Sequence, residues 1–503
     1  MRTPESALCQ PRPQGSPRPV WHRLTIALLP LSLAACAVHG PRPTVATPVP
    51  PQWQAPLPHQ GSVVELGRWW RQQDPLLAEL ILAADSVSPT VASAKSNIEQ
   101  ARAARAAASA ALLPTLDASA SVSRSRGAVF NRMVPPATTT AQLGLQSSWE
   151  IDLFGGAAAS RGAEQQRLQG SQALWHSARV SVAAEVATQY HSLRACEQLL
   201  AVARADAASR AETARLTDLA TKAGFQAPAT AALAQASAAE GRSAATAQAA
   251  QCDIDIKALV ALTALPEPEL RNKLAKSPTA AADTRSDDTL APVISVPAVV
   301  LSQRPDIFNA AREVDAAHLD VGSARAERYP RLSLSGSIAG NRSRTDGVSQ
   351  RYNTWSIGPL QLTVPLFDGG ASAANVEAAK ARYENATAQY RGSVRQAVRE
   401  VEEALVNLQS TADRSRDAAI AADGYRASFA GTEARYRSGL ASLVELEDAR
   451  RTLLAAQGAL VNLQRERRVA WVSLYRALGG GWTADNTEGP VAGNAPKTSG
   501  PVN

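Results

Sequence analysis

The motifs Leu113-Pro114-Thr115-Leu116 and Asp152-Leu153-Phe154-Gly155-Gly156 decide the fold, because related motifs return further along the chain. The offsets between matching positions lie between 213 and 216 residues, so one long unit is duplicated in tandem. That unit is far longer than a solenoid repeat, and each copy is therefore expected to be a supersecondary assembly of its own. The later motifs are Tyr329-Pro330-Arg331-Leu332, Pro365-Leu366-Phe367-Asp368-Gly369-Gly370, and Ser438-Gly439-Leu440, which corresponds to Ala223-Gly224-Phe225.

Each copy predicts the same order of elements: a helix, two strands, a long helix and a returning helix. Proline closes the first helix of each copy, and the apolar period then changes to two, as in strands. The first copy, residues 63–290, has predicted helices at about 75–112, 156–222 and 229–264 and predicted strands at about 114–124 and 141–153. The second copy, residues 291–482, has predicted helices at about 302–328, 370–438 and 442–478 and predicted strands at about 331–340 and 354–366.

The predicted strands alternate apolar residues with small or polar ones, which is typical of a sheet with one wet face. Each run has roughly the ten residues that a tilted strand needs to cross a bilayer. An ordinary soluble hairpin fits these runs equally well when they are taken alone.

The long helices favour the membrane interpretation. Residues 156–222 and 370–438 contain no proline, and their apolar positions keep spacings of three and four, as in coiled coils. At 1.5 Å per residue such a helix is about 100 Å long, which a globular core does not need. Turn glycines Gly224 and Gly439 end the two long helices. The shorter helices of each copy are expected to stack end to end against the long one.

Four strands cannot close a membrane barrel, which needs at least about eight. The chain must therefore oligomerise, and three chains would supply twelve strands. The predicted fold is mainly α, with tandem-duplicated helical hairpins forming a trimeric α-barrel and with a small transmembrane β-barrel of four strands per chain.

The N-terminus predicts export and lipidation. Arginines precede a short apolar run at 24–33, the order of a secretory signal, and the run is too short to remain as a membrane span. It ends in Leu33-Ala34-Ala35-Cys36, which resembles the bacterial lipobox, so residues 1–35 are a predicted signal peptide and Cys36 a predicted lipid attachment site. A free cysteine beside a cleavage site is the alternative. A proline-rich tether is expected at 36–62 and a disordered tail at 483–503.

The charge excludes one class of partner. Removing residues 1–35 lowers the net charge from +7 to +4, and the remaining basic residues are dispersed. No basic stripe with interleaved aromatic residues is present, so nucleic-acid binding is not expected.

The whole pattern resembles the TolC-like outer-membrane efflux factors, and within them the lipoprotein branch that includes the NodT-type proteins. The resemblance rests on Cys36, the duplicated hairpins, Gln303-Arg304-Pro305-Asp306-Ile307, Pro365-Leu366-Phe367-Asp368-Gly369-Gly370 and the stretch from Gly439 to Asp448. It implies a homotrimer with a twelve-stranded barrel in the outer membrane and a helical barrel in the periplasm. It also implies work as the exit duct of a tripartite pump, with a periplasmic adaptor and an inner-membrane transporter as partners.

Glu445 and Asp448 align with the acidic positions that narrow the pore in this family. Three copies of each acid at a narrow mouth would attract cations and repel anions. The alternative is a solvated first helical turn, where acids are common because of the helix dipole. Glu445 is longer than the family's usual aspartate. Ala441 and Thr230 stand where some members carry latching charges, so that latch is not expected here.

Cys196 and Cys252 predict a disulfide. Gly224 lies midway between them, so helices folded at this turn would bring the two cysteines side by side, and disulfides persist in the periplasm. Two buried reduced thiols are the alternative.

An enzyme is not expected, and neither is a metal or a cofactor other than lipid on Cys36. His39, His59, His176, His191 and His318 form no metal-ligand spacing, and no nucleophile motif or phosphate loop accompanies them. Arg304, Pro305 and Asp306 fit a helix start, with Ser302 as the cap. The alternative functions are a periplasmic adaptor lipoprotein and a structural coiled-coil lipoprotein. The sequence does not identify the exported compound. Because Glu445 and Asp448 lie in the second copy, we expect this copy to carry the gate and the first copy to brace it.

Overall fold

A computed structural model describes residues 45, 53–54, 74–127, 136–277, 301 and 303–482. The predicted signal peptide, Cys36, most of the predicted tether, Ser302 and the predicted tail lie outside these described residues. The main elements, in chain order, are α1 (Pro75–Val87), α2 (Pro89–Ala110), β1 (Thr115–Ser125), β2 (Thr138–Ile151), α3 (Gly156–Lys222), α4 (Pro228–Thr263), α5 (Glu267–Lys276), α6 (Pro305–Ala326), β3 (Arg331–Thr345), β4 (Val348–Thr363), α7 (Ala371–Arg437) and α8 (Leu443–Ala477).

The chain divides into two compact units. The sheet unit contains the described parts of Ala108–Arg161 and Leu319–Ala378, and with them all four strands. The helical unit contains the described parts of Arg42–Ala107, Gly162–His318 and Ala379–Asn503. Each half of the duplication contributes to both units, and the prediction of a mainly helical chain with a small sheet is confirmed.

The two long helices, α3 and α7, have 67 residues each. An aspartate from the repeated glycine-rich motif caps each of them. Asp152 accepts hydrogen bonds from the backbone N–H groups of Ala157 and Ala158, and Asp368 accepts from those of Gly370 and Ser372. The bonds from Ser372 and Gly370 lower the pKa of Asp368 to about 2. The repeated motif therefore starts the long helices.

The first predicted helix, 75–112, is wrong as a single element. It is broken into α1 and α2 at Ser88, and the two axes differ by 49°. Ser88 adopts an extended conformation with ψ 124°, because the ring of Pro89 disfavours helical geometry in the residue before it. Within the described ranges no single helix is long and apolar enough to cross a membrane, while the bent α1–α2 pair passes that test by length and composition alone.

The four strands form one antiparallel sheet in the order β1-β2-β3-β4, so β2 of the first copy pairs with β3 of the second. Strands β3 and β4 are longer than predicted, because a two-residue turn joins them. Asp346 and Gly347 both have positive φ, at 46° and 84°, as a type I′ hairpin turn requires. The Asp346-Gly347 dipeptide is the sequence signal of such a turn.

The two faces of this sheet differ in chemistry. On the polar face, serine, threonine, asparagine and glutamine side chains pair across the strands, for example Ser337 with Ser356 and Asn341 with Thr354. The opposite face, here called the apolar face, exposes large apolar side chains to solvent. These include Leu116, Val122, Leu143, Leu145, Ile338, Trp355, Ile357, Leu360 and Leu362.

In the helical unit, short helices of the first copy pack along α3. Asp85 of α1 forms an ion pair with Arg179 at 3.0 Å, and Asp74, the cap of α1, accepts a hydrogen bond from the Tyr190 hydroxyl. Gln189 of α3 donates to the carbonyl of Asp255 in α4 at 3.3 Å. The start of α1 and the end of α4 therefore meet beside the middle of α3, as the end-to-end stacking expected from the sequence requires.

The short helix α5 was not predicted. The buried Arg194 of α3 holds its end by donating to the carbonyl of Ser277 at 2.9 Å and towards that of Leu274 at 3.5 Å. Burial alone would lower the pKa of Arg194, but hydrogen bonds with Glu197 and Tyr190 outweigh it and the pKa is raised. A contact such as that of Arg194 with the end of α5 produces no periodic pattern in the sequence.

Candidate functional site

The two helical turns have the same geometry. Gly224 and Gly439 have φ of +80° and +74°, and after each glycine the next N–H bonds back five residues. These bonds run from Phe225 to the carbonyl of Ala220 and from Leu440 to that of Arg435, each at 2.8 Å. Both long helices thus end in a Schellman motif, which explains the repeated glycine.

Glu445 lies in a capping box at the start of α8. Its Oε2 accepts a hydrogen bond from the N–H of Ser442 at 2.9 Å, and its own N–H donates to the Ser442 hydroxyl at 3.2 Å. The local role is therefore that of the helix-start alternative considered from the sequence. Glu445 is also exposed, so its charge faces outward from the hairpin.

Asp448 lies one turn further along the same helix. It forms an ion pair with Arg451, and both side chains are mostly exposed. Residues three apart share a helix face, so Glu445 and Asp448 form one acidic strip. The buried residues Leu443 and Leu446 lie on the other side of the helix. The strip therefore faces away from the protein's own helices.

A charged network lies on the opposite side of α8 and was missed in the sequence. Arg450 is 2% exposed, and its guanidinium pairs with Glu447 at 2.5 Å. Arg210 of α3 forms an ion pair with Asp206 on the same helix at 2.8 Å. It forms a second ion pair across the helix interface, with Glu447 of α8 at 3.3 Å. Asp206 also lies 3.6 Å from Arg450. Two arginines and two acids alternate, so the buried charges balance.

Neutral groups complete this network, here called the Arg450 network. Ser209 and Thr213 accept hydrogen bonds from Arg450 at 3.0 and 3.3 Å, and the Phe429 ring lies 5.5 Å from its guanidinium carbon. Each i,i+3 or i,i+4 pair is visible in the sequence, but the contact between α3 and α8 that joins them is not.

Closer to the turns, the two copies also pack through apolar residues. Leu443 and Leu446 of α8 lie against Ala234 of α4, and Tyr436 forms a 3.0 Å hydrogen bond with Thr217 of α3. The first hairpin therefore packs against the start of α8, and the bracing of a gate by the first copy stays a prediction. Ala441 and Thr230 carry no charge here, as their sequence dictates.

Helix α6 starts at Arg304, Pro305 and Asp306. Arg304 also contacts two other helices. Arg304 is buried and bonds Asp306 through two nitrogens at 2.6 and 3.0 Å. It also bonds Glu400 of α7 at 2.9 Å and the carbonyl of Ala477 in α8 at 2.8 Å. Burial would lower its pKa, but the two carboxylates outweigh that effect and the pKa is raised. Arg304 thus ties the ends of α6 and α8 to α7.

Cys196 and Cys252 form a disulfide in the structure, with their Cα atoms 5.5 Å apart. Both residues are buried in the core of the helical unit, beside Leu193, Ile256 and Leu259. The bond joins α3 to α4 roughly 28 residues from the Gly224 turn on each side.

The described histidines do not form a metal site. Across the described ranges, no group of three or more histidine, cysteine or acidic side chains could hold a metal ion. His176 and His191 lie on α3, and burial, together with nearby arginines, lowers the pKa of both. His318 stacks edge-on against Tyr383, 5.8 Å away. His39 and His59 lie outside the described residues.

A protein-family model described as "Outer membrane efflux protein" matches residues 80–265 and again residues 296–480. The two matches fall on the two copies recognised in the sequence.

Curated relatives match the chain over nearly its whole length. Outer membrane protein OprJ of Pseudomonas aeruginosa is 30% identical over 90% of this chain and 95% of its own length. Pyoverdine export outer membrane protein OpmQ of Pseudomonas putida is 30% identical over 92% and 98%. Nodulation protein T of Rhizobium leguminosarum bv. trifolii is 28% identical over 91% and 96%.

Solved structures have the same fold. A membrane protein from Pseudomonas aeruginosa superposes with a TM-score of 0.78 at 27% identity, covering 88% of this chain and all of that chain. The outer-membrane channel OprN superposes with a TM-score of 0.75 at 26% identity, covering 89% of this chain and all of that one.

Proposed function

The chain belongs to the outer membrane efflux protein family and is the outer-membrane channel component of an efflux pump, and from this premise we propose that three copies form its passive exit duct. In this proposal the strands build a twelve-stranded barrel in the outer membrane and the hairpins build a barrel of helices in the periplasm. The adaptor and structural coiled-coil alternatives do not fit the family.

The sheet is the observation that carries the proposal. Its apolar face exposes Trp355 at 74% and Ile357 at 85%, which is costly in water and favourable in lipid. Its outer strands, β1 and β4, pair on one side only within the part of the chain that the structure describes. A membrane has no water to satisfy the free strand edges, so they must pair with edges of other copies.

The acidic strip supports a charged constriction. Glu445 and Asp448 face away from their own chain, so in a trimer they would line the space between chains. Three copies of the strip would bring six carboxylates together, and such a ring favours cations.

The partners follow from the pump. We assign the energy supply and the choice of substrate to an inner-membrane transporter, and the link to it to a periplasmic adaptor. OpmQ is named for pyoverdine export and Nodulation protein T for nodulation, although the chain is about equally similar to both. Relatives named for such different processes at similar identity fit a duct that does not select its cargo. We expect neither catalysis nor a cofactor.

Lipid attachment at Cys36 is a separate part of the proposal. We propose that cleavage before Cys36 and acylation of its thiol anchor the chain in the outer membrane. Mass spectrometry of the N-terminal peptide tests this, since a lipid-modified Cys36 as the first residue is expected. An unmodified Cys36 behind an intact or differently cleaved N-terminus would contradict the anchor.

Planar bilayers test the duct directly. Purified protein is expected to migrate as a trimer in detergent until it is heated, and to give discrete ion-conductance steps. Heated, monomeric protein from the same preparation is the control and should not conduct. A native monomer without conductance would refute the channel.

A further inference from the structure

Four arginines lie together on the apolar face of the sheet, at the end where β3 turns into β4. Arg342 and Arg351 are directly opposite each other on β3 and β4. Arg344 lies two residues beyond Arg342, and the register places Arg124 of β1 in the same row as Arg344. All four side chains are exposed, and they share a face with the apolar residues.

A groove of about 460 Å³ runs over this face beside the arginines. Small residues form its floor, because Ala120, Ala141 and Gly340 leave space that larger side chains would fill. Val122 and Leu143 supply apolar walls, while Arg342, Arg351 and Asn353 line its polar end. The groove thus has an apolar floor and walls along its length and a cationic end.

Among the residues that the structure describes, no acidic side chain forms an ion pair with any of the four arginines, although Asp346 lies in the adjoining turn. Arg342 donates through Nε to the Ser349 hydroxyl at 3.1 Å, which leaves its terminal nitrogens for a ligand. Like charges directly opposite in a sheet repel, so the Arg342 and Arg351 pair is unfavourable without an anion between the two side chains.

The position along the strand indicates where this anion comes from. From Leu332 to Gly340 the apolar face of β3 carries no charge over nine residues. These span roughly 26 Å along the strand, which at a tilt of about 40° rises ~20 Å and covers most of the roughly 25 Å apolar band of a membrane barrel. The arginines begin directly beyond this uncharged stretch, at the edge of the band. In a bilayer they would therefore lie at the level of the lipid headgroups.

We propose that this groove binds a phosphorylated membrane lipid, with an acyl chain over Ala120, Ala141 and Gly340 and its phosphate between Arg342 and Arg351. Guanidinium groups bind phosphate oxygens through paired hydrogen bonds, which suits two arginines at one site. The proposal rests on the membrane location assigned above, and it adds a lipid site that the pump function does not require.

The test compares three probes on the full-length trimer in detergent by native mass spectrometry. Dioleoyl phosphatidic acid carries both phosphate and chains, dioleoylglycerol lacks the phosphate, and glycerol 3-phosphate lacks the chains. The double variant Arg342→Gln/Arg351→Gln removes the cationic end. Arg328→Gln/Arg331→Gln removes the same charge at the first residue of β3 and in the turn just before it, and serves as the matched control.

The double variant is expected to bind phosphatidic acid roughly thirtyfold more weakly than the wild type, because it loses two arginines that attract the phosphate at the lipid surface. The control should bind like the wild type, and dioleoylglycerol should bind all variants equally and more weakly. Equal phosphatidic acid affinity in the double variant and the control would overturn the proposal, as would wild-type binding of dioleoylglycerol as tight as that of phosphatidic acid.

A third variant tests the acyl chain. An added Cβ at Gly340 would meet only ordinary contacts, with the Asn353 Oδ1 at 3.6 Å and the Leu143 carbonyl at 3.9 Å, so Gly340→Val should fold and fill the groove. It should weaken phosphatidic acid binding and leave glycerol 3-phosphate binding unchanged. Unchanged phosphatidic acid affinity would contradict the groove. The conductance of each variant is also measured. A conducting trimer without lipid preference would refute only the lipid site. A wild-type protein that neither forms trimers nor conducts would refute the duct.

Discussion

At the scale of single residues, Arg450 shows how one buried, paired charge can hold two repeats together. Its guanidinium contacts Glu447 on its own helix and Ser209 and Thr213 on α3. Such a group contributes to stability only while its partners remain, because a buried charge without a partner is costly.

Arg450→Met should destabilise the helical unit by about 3–5 kcal/mol, because Glu447 and Asp206 would lose a buried counter-charge. Urea unfolding followed by circular dichroism measures this loss. Arg451→Met is the control, since its side chain is 78% exposed and it should not shift the midpoint measurably. Adding Glu447→Leu to Arg450→Met should restore part of the stability, and a further loss instead would contradict the network.

His191 predicts a pH dependence of stability. Burial, then the charges of Arg468 and Arg194, lower its pKa from 6.5 to about 3, and its Nδ1 is buried without a hydrogen-bond partner among the described residues. The unfolded chain therefore binds a proton that the folded chain does not between these two pH values. The stability supplied by the neutral ring is complete above pH 6.5 and is lost as pH falls towards 3.

At pH 5 the loss should be roughly 2 kcal/mol relative to pH 8. His191→Gln stays neutral at every pH, so its unfolding free energy should fall less steeply between pH 7 and 4. The measurement is urea unfolding across this range, and parallel pH profiles for the two proteins would show that His191 does not titrate in this way.

At the scale of elements, the disulfide joins α3 to α4 far from their turn. Reduction of the denatured protein should release two thiols per chain more than denaturation alone, which thiol titration measures. Reduced protein and the Cys196→Ala/Cys252→Ala variant should each lose about 2–4 kcal/mol in urea unfolding, because the cross-link constrains the unfolded chain. No gain in thiols on reduction would show that the cysteines are not bonded.

The elements could largely be predicted from the sequence, whereas the contacts between them could not. The absence of proline over α3 and α7, and glycine after them, fixed both helices almost to the residue. Pro89 falls inside the predicted first helix, but its ring forces Ser88 out of helical geometry and breaks that helix in two. The pairing of α3 with α8 in the Arg450 network depends on how two copies pack, and the period of neither helix contains that information. The capping box at Ser442 follows from the Ser-x-x-Glu pattern, which is more specific than the general preference for acids in a first helical turn.

At the scale of the whole molecule, the acidic strip predicts ion selectivity. Glu445→Gln/Asp448→Asn removes two charges per chain while glutamine keeps the capping box. The double variant should lose most of its preference for cations, which reversal potentials across a salt gradient in planar bilayers measure. Glu240→Gln on the first hairpin, exposed at 81%, is the control and should keep the wild-type reversal potential. Unchanged selectivity in the double variant would place the constriction elsewhere.

The outer strands β1 and β4 each have one edge without a partner among the described residues, and this has a genetic consequence. A chain whose β1 edge cannot pair still offers an intact β4 edge. It can therefore assemble with two normal chains and leave the barrel that they form unclosed. If half of the chains in a cell carry such a defect and three chains assemble at random, only about one assembly in eight is free of it. Mutations at these edges should therefore behave as dominant, while mutations that prevent folding of the chain should be recessive.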